Sequence, residues 1–404
     1  MSTNPPPRTR TPLTHYTLAE LRRRTSVKWT EFPPDVLPMR IAEMDTPLAE
    51  PIGAALIRAV SDGDTGYASP GRLPASFAAF AGRRYGWHPD PPAMRLVPDV
   101  MTGIVETLRL TTEPGDTIVV NTPGYPPYYS RLEGLGLRLV TSPPAPGPHG
   151  YALDLDSLER HFAAGAKVYL LCNPHNPTGT VFARDELMAV AGLAERHGVR
   201  VVSDEILAPL VHPGPRRHIP FPSLDHPAAA RSVALVSASK AWNLAGLKAA
   251  LAVPGPEARA VVAALDGELD EGSGLFGVLA GEAAFTEGEG WLDELLRALD
   301  GNRKLLAAEL ARTLPRVVCR PPAAGFTAWL DVRPLGLPGD PAERFLRAAR
   351  VGVSSGARFS PLQRPGEPGS GHGFVRLNFG TRPDVVVEAV RRMARATQLP
   401  RQDS

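Results

Sequence analysis

Lysine is scarce in this chain. Lys and Arg together number 44 among 404 residues, and only five are lysines. Cysteine is scarcer: Cys172 and Cys319 are too few and too far apart for a disulfide framework or a zinc site, and read as reduced core thiols. No run approaches 18 uninterrupted apolar residues, so no transmembrane span is expected. The first eight residues (Met1-Ser2-Thr3-Asn4-Pro5-Pro6-Pro7-Arg8) lack the apolar stretch of a signal peptide and read as a mobile Pro-rich arm. The cytoplasm is the expected location. An excess of charge is also missing. The formal net charge is +2, with neither a basic stripe nor a basic tail, which argues against nucleic acid or a membrane surface as the main partner. No internal repeat is visible.

What is present suits two domains. Apolar residues recur at helical spacing near 48–60, 73–85, 101–111, 184–197, 291–314 and 383–396. Short β-rich runs lie at 117–120, 168–172, 199–203 and 232–236. Strands alternating with helices predict an α/β fold whose mostly parallel sheet is covered on both faces. The last third mixes runs at 316–320, 326–332 and 374–379 with helices at 341–350 and 383–396, as in a smaller α+β domain, and the helix at 291–314 joins the two. Segments 142–150, 213–223 and 361–373 are rich in Pro or Gly and are expected to be loops, the last one mobile and near the site.

One of the retained lysines, Lys240, ends Ser237-Ala238-Ser239-Lys240 directly after the apolar run 232–236. A strand, two hydroxyls, a lysine and then an expected helix place an amine beside an anion seat. Such an amine can form a Schiff base with the aldehyde of pyridoxal 5'-phosphate (PLP), which arginine cannot do. A PLP site needs further parts, and each has a candidate. Asp204 closes Val201-Val202-Ser203-Asp204, at the strand end where parallel sheets build ligand sites. Paired with a ring nitrogen, it would keep that nitrogen protonated; a helix cap or surface acid is the alternative. Asn176, in Asn173-Pro174-His175-Asn176-Pro177-Thr178-Gly179, can donate to a ring oxygen, or merely cap its own turn. Tyr125, in a Pro- and Tyr-rich turn, can stack on the ring. The amides of Met101-Thr102-Gly103-Ile104 can meet a phosphate. Arg376 interrupts an apolar strand and needs an acceptor, either a substrate carboxylate or an internal acid.

These strings resemble the fold-type I PLP-dependent enzymes of the class I/II aminotransferase superfamily, from about residue 29 to 397. The segments that carry the resemblance are Asn-Pro-His-Asn-Pro-Thr-Gly, Ser203-Asp204-Glu205-Ile206, and Ser-Ala-Ser-Lys followed by Asn243-Leu244-Ala245-Gly246-Leu247-Lys248. Within that superfamily, Trp29, Ala42-Glu43-Met44-Asp45, Tyr125-Pro126-Pro127-Tyr128, Trp291-Leu292-Asp293, Gly301-Asn302-Arg303 and Phe374-Val375-Arg376-Leu377-Asn378-Phe379 resemble the MalY/PatB-type cystathionine β-lyases, which are carbon–sulfur lyases. The resemblance implies an N-terminal arm and part of the small domain at 1–58, a large PLP-binding domain at 59–300 and a C-terminal small domain at 301–404. It implies Lys240 as the Schiff-base lysine, Asp204 on the ring nitrogen, Asn176 on the ring oxygen and Tyr125 on the ring face. Gly103 and Ile104 amides, Ser237 and Lys248 would hold the phosphate. Arg376 would hold the substrate carboxylate, with Met44 and Asn176 shaping the substrate side. Tyr67 matches a tyrosine that reaches the phosphate of the neighbouring subunit, which implies a homodimer with shared sites.

One position departs from the pattern. Where the superfamily carries a tyrosine, and the subgroup often a histidine, this chain has Leu207, which has no group to donate. The expected reaction is β-elimination from cystathionine or another cysteine S-conjugate, giving thiol, pyruvate and ammonia. Transamination, decarboxylating or oxidative deamination of a cysteine S-conjugate, and a non-catalytic regulator are the alternatives.

Overall fold

The computed structural model describes residues 11–147 and 150–398. The expected N-terminal arm lies outside the described residues. Seven strands form the larger sheet in the order Arg95–Val97, Ala250–Pro254, Val233–Val236, Arg200–Asp204, Val168–Cys172, Thr117–Asn121, Arg138–Ser142. All run the same way except Ala250–Pro254, which is antiparallel to both neighbours.

The central strands are apolar along their whole length because both faces are covered. Period-two alternation sorts their side chains. Ile118, Val120, Leu170, Val202 and Leu235 meet Ile104 and Leu108 of the helix Val100–Thr111 on one face. Val119, Tyr169, Leu171 and Val201 meet Leu158, Phe162, Leu187 and Val190 of the helices Leu155–Ala163 and Arg184–His197 on the other. The helices start on acidic caps: the Asp99 and Asp154 side chains accept from the N–H groups of Thr102 and Ser157.

A second, antiparallel sheet has the order Val318–Cys319, Thr327–Asp331, Phe374–Asn378, Ser354–Ser355. Helices Glu289–Thr313 and Pro383–Gln398 bury Leu306, Leu310, Val386, Val390 and Met393 together with Leu330, Val375 and Leu377. The same apolar cluster continues through Met39 to Phe77, Phe80 and Val236. Near the chain start, Leu37–Pro38 pairs in parallel with Val351–Gly352.

Two local expectations change. The segment expected as a loop at 142–150 contributes to a ribbon, Pro144–Gly147 paired antiparallel with Gly150–Leu153. A two-stranded ribbon has free edges, so prolines are tolerated there. Lys240 is followed by turns and the 3-10 turn Ala245–Leu247 rather than by an α-helix. Asn243 and Lys248 take φ of 60° and 58°, which a right-handed helix cannot accommodate. Helix Leu275–Thr286 has no separate polar face, since Val278, Ala280, Gly281, Ala283, Ala284 and Phe285 are all buried, and it therefore shows no amphipathic stripe.

Candidate active site

The C-terminal ends of the parallel strands open into one cavity of about 420 Å³. Asp204, at the end of Arg200–Asp204, lies at its floor and is 5% exposed. Tyr128, from the helix Pro126–Glu133, donates its hydroxyl to Asp204 Oδ2 at 2.5 Å, and the Ile206 N–H donates to Oδ1 at 3.1 Å. Burial pushes the Asp204 carboxyl up, and these two hydrogen bonds pull it back toward ionisation. Burial holds the Tyr128 phenol well above its usual range, so it stays a donor. The ring of Tyr125 lines the cavity and meets Tyr128 edge-on, with centroids 5.4 Å apart.

Lys240 shares the cavity with Asp204, and its Nζ donates to Ala42 O at 3.1 Å. Burial, aided by the nearby Arg376 guanidinium, pushes its amine below the ordinary lysine range, toward the neutral, nucleophilic form. Asn243, in the left-handed region, uses its amide to accept from Met44 N and donate to Met44 O, both at 2.9 Å. That pins the Ala42-Glu43-Met44-Asp45 strap over the lysine turn. Its far end is fixed by a buried ion pair, Lys28 Nζ to Asp45 Oδ2 at 2.8 Å, and by Trp29 Nε1 donating to Asp45 Oδ1 at 2.9 Å. The sequence signal in Trp29 and the strap is thus partly architectural.

Arg376 comes from the smaller sheet. Its NH1 donates to Asn176 Oδ1 at 3.0 Å, its NH2 to Arg40 O at 3.2 Å, and its guanidinium sits 4.9 Å from the Phe359 ring centroid. Among the described residues no carboxylate pairs with it, and its buried Nε has no partner. Burial lowers its pKa to about 10. Because Asn176 accepts through Oδ1, its NH2 end is the one left to donate.

At the opposite end, Val100 and Met101 of the helix Val100–Thr111 line the cavity beside Asp99 and Lys248. Asp99 Oδ1 accepts from Thr102 N at 2.9 Å, and its Oδ2 accepts from Lys248 Nζ at 3.0 Å. These two side chains are 36% and 55% exposed.

Of the residues expected from sequence, the cavity gathers Tyr125, Asn176, Asp204, Lys240, Lys248 and Arg376, together with Leu207. Gly103 and Ile104 are not among its walls. They sit on the buried face of their helix, where a Cβ on Gly103 would lie 2.5 Å from Leu235 Cδ1. Val100 and Met101, three residues before Gly103 and Ile104 respectively, face the cavity instead. Ser237 is turned away, its hydroxyl donating to Ala249 O and accepting from Ser239 N, while Ser239 lines the cavity. Met44 is a core side chain, and Ala42 takes its place in the wall. Tyr67 is 83% exposed and away from the cavity of its own chain. Segment 361–373 does not reach it either. Tyr128 and Asp99 are among the polar wall residues, with Ser130, Arg131, Ser239 and Thr327, to which the sequence alone assigned no role.

The comparisons agree with this geometry. Residues 72–393 match the family described as aminotransferase class I and II. A Mycobacterium tuberculosis protein that carries cystathionine beta-lyase as a provisional name is 45% identical over 95% of this chain and 98% of its own. Cystathionine beta-lyase PatB of Bacillus subtilis is 34% identical over 92% of this chain and 96% of its own. The crystal structure of a Corynebacterium diphtheriae protein, provisionally a PLP-dependent beta-cystathionase, superposes with a TM-score of 0.87 at 33% identity, over 95% of this chain and 98% of its own. This chain belongs to the aminotransferase class I and II family.

Proposed function

We propose that this chain is a PLP-dependent carbon–sulfur β-lyase, acting on cystathionine or another S-substituted L-cysteine to release a thiol, pyruvate and ammonia. The observation that carries the reading is the shared cavity of Lys240, a half-buried amine pushed toward neutrality, Asp204, a buried carboxylate, and Arg376, a buried cation without a carboxylate partner among the described residues. The residues fit the cofactor: a lysine whose amine is shifted toward neutrality, a buried carboxylate in the same cavity, an aromatic ring, an amide donor and a helix first turn with a lysine beside it. The relatives named for cystathionine cleavage favour elimination over amino transfer.

Bound PLP supplies an electron sink conjugated to the substrate Cα. The protein's part is placement and proton transfer. Arg376 has its Nε side free and takes the substrate carboxylate, which fixes the direction of the Cα–H bond. Lys240 would be the residue that bonds the cofactor aldehyde, and its Nζ would take the substrate Cα proton as general base. Asp204 would accept the ring N–H, Asn176 would donate to the ring oxygen, and Tyr125 would cover one ring face. Lys248 and the first-turn N–H groups of Val100 and Met101 would hold the phosphate. Leu207 leaves the place of the usual second donor apolar, so Asn176 carries that hydrogen bond alone. A second copy of the chain completes the site through Tyr67, which is exposed together with Ile57 and Val60.

The assay supplies L-cystathionine or an S-alkyl-cysteine to PLP-loaded protein with no keto acid. Pyruvate, ammonia and thiol in equal amounts are expected. Turnover that requires an added keto acid would establish transamination instead, and carbon dioxide release would establish decarboxylation.

A further inference from the structure

Asp204 is buried deeply enough that its charge needs support. The groups that face it are Tyr128, Tyr125, Cys172, Glu205 and Lys240. Most are committed elsewhere. Glu205 accepts from Ser203 Oγ, Phe221 N and His218 Nε2, at 2.9, 2.8 and 2.9 Å. Lys240 donates to Ala42 O, and the Cys172 thiol lies 3.5 Å from Pro174 O. Tyr128 is the one side chain among the described residues with a hydrogen bond to the Asp204 carboxylate. It is 3% exposed.

We propose that Tyr128 is a positioning residue that keeps Asp204 ionised and aimed, so that the proton shared between Asp204 and the cofactor's ring nitrogen rests on the ring. The inference stands on the PLP reading given above. Each carboxylate oxygen has two lone pairs, so the phenol and the ring N–H can be accepted together. Buried, the carboxylate by itself favours its neutral form. A phenol donating to Oδ2 stabilises the anion more than the acid, because a protonated carboxyl oxygen is a much weaker acceptor than a carboxylate oxygen. Without it, the equilibrium moves from ring N–H⁺ with carboxylate toward unprotonated ring with carboxylic acid. The proton only changes sides within one hydrogen bond. The electron sink weakens with it, because an unprotonated ring holds electron density less well.

Nitrogen-15 NMR of protein loaded with ring-labelled PLP reads the proton's position directly, independently of turnover. The wild type should give the signal of a protonated ring nitrogen. In Tyr128→Phe the ratio of ring-protonated to unprotonated form should fall about tenfold or more, the size of losing one hydrogen bond to a charged group. Phe326→Leu, which alters an apolar side chain of the same cavity wall that cannot hydrogen-bond to Asp204 or Tyr128, should keep the wild-type signal. 4-Aminophenylalanine at position 128 restores an N–H donor; it should give a signal nearer to wild type, and it serves as the test if the Phe variant does not fold. An unchanged signal in Tyr128→Phe, an equal shift in Phe326→Leu, or an aminophenylalanine signal equal to that of the Phe variant overturns the inference. A wild-type chain that takes up no PLP overturns the proposed function as well.

Discussion

The two ends of the active-site cavity are built differently. At the Asp204 end the polar groups are buried or half-buried and mostly paired: Tyr128 and Ile206 hold Asp204, and Arg376 holds Asn176 while its Nε stays without a partner among the described residues. At the Asp99 end an ion pair with Lys248 is open to water. The buried end places charges where solvent cannot screen them, so each group there changes reactivity strongly. Exposed pairs contribute little individually, since water and salt screen them. The account therefore assigns the chemistry to the dry end and anchorage to the wet one.

Substitutions test this division in order of expected effect. Lys240→Ala removes both the covalent anchor and the general base, and should lower kcat about 1,000-fold or more, measured by pyruvate formation. A loss under tenfold would place the base elsewhere. Next comes acid sensitivity. His175, in the turn that carries Asn176, is held down to a pKa of about 4 by burial. An unfolded histidine titrates near pH 6.5, so between these values the unfolded chain binds the extra proton. Stability is full above about pH 6.5 and falls as the pH drops toward 4, by about 2 to 3 kcal/mol for this group. His212, also lowered to about 4 by burial and then by Arg303, adds to the same loss. Urea unfolding at pH 7 and pH 4.5 should show His175→Gln losing less on acidification than the wild type; equal losses would remove His175 from the explanation.

Arg376→Lys keeps the charge but loses the planar fork. It should lower kcat/KM about 10- to 100-fold, chiefly through the hydrogen bonds to the substrate carboxylate. A lysine that works as well as arginine would mean that Arg376 is only a structural cation. The smallest effect belongs to the wet end. Asp99→Asn keeps the cap geometry but frees Lys248, and PLP affinity measured by dialysis should change less than about fivefold. A hundredfold change would erase the contrast between the two ends.

Much of this was legible in the chain because strong signals coincide with backbone periodicity. The buried strands at 168–172 and 200–204 announce themselves as apolar runs; Asp204 is the last residue of the second, and Asn176 lies in the turn just beyond the first. Lys240 stood out through the rarity of lysine. The strand Arg138–Ser142, half exposed at the sheet edge, and the all-round buried helix Leu275–Thr286 lack a clean pattern and were passed over. So were positions fixed by turn geometry. Ser237 and Ser239 are indistinguishable in sequence, and only the hydrogen bonds of the turn decide which one faces the cavity. Met44 carries a family-like string, yet its side chain belongs to the core, because the strap is held through its backbone by Asn243. Tyr128 needed a contact across 76 residues to acquire meaning.

The contrast between the two ends requires that Lys240, rather than the more exposed Lys248, capture the PLP aldehyde. Borohydride reduction of the PLP-loaded protein, followed by peptide mass spectrometry, reads this out. A pyridoxyl-phosphate adduct on Lys240 alone is expected. An adduct on Lys248, or no adduct at all, would refute the assignment.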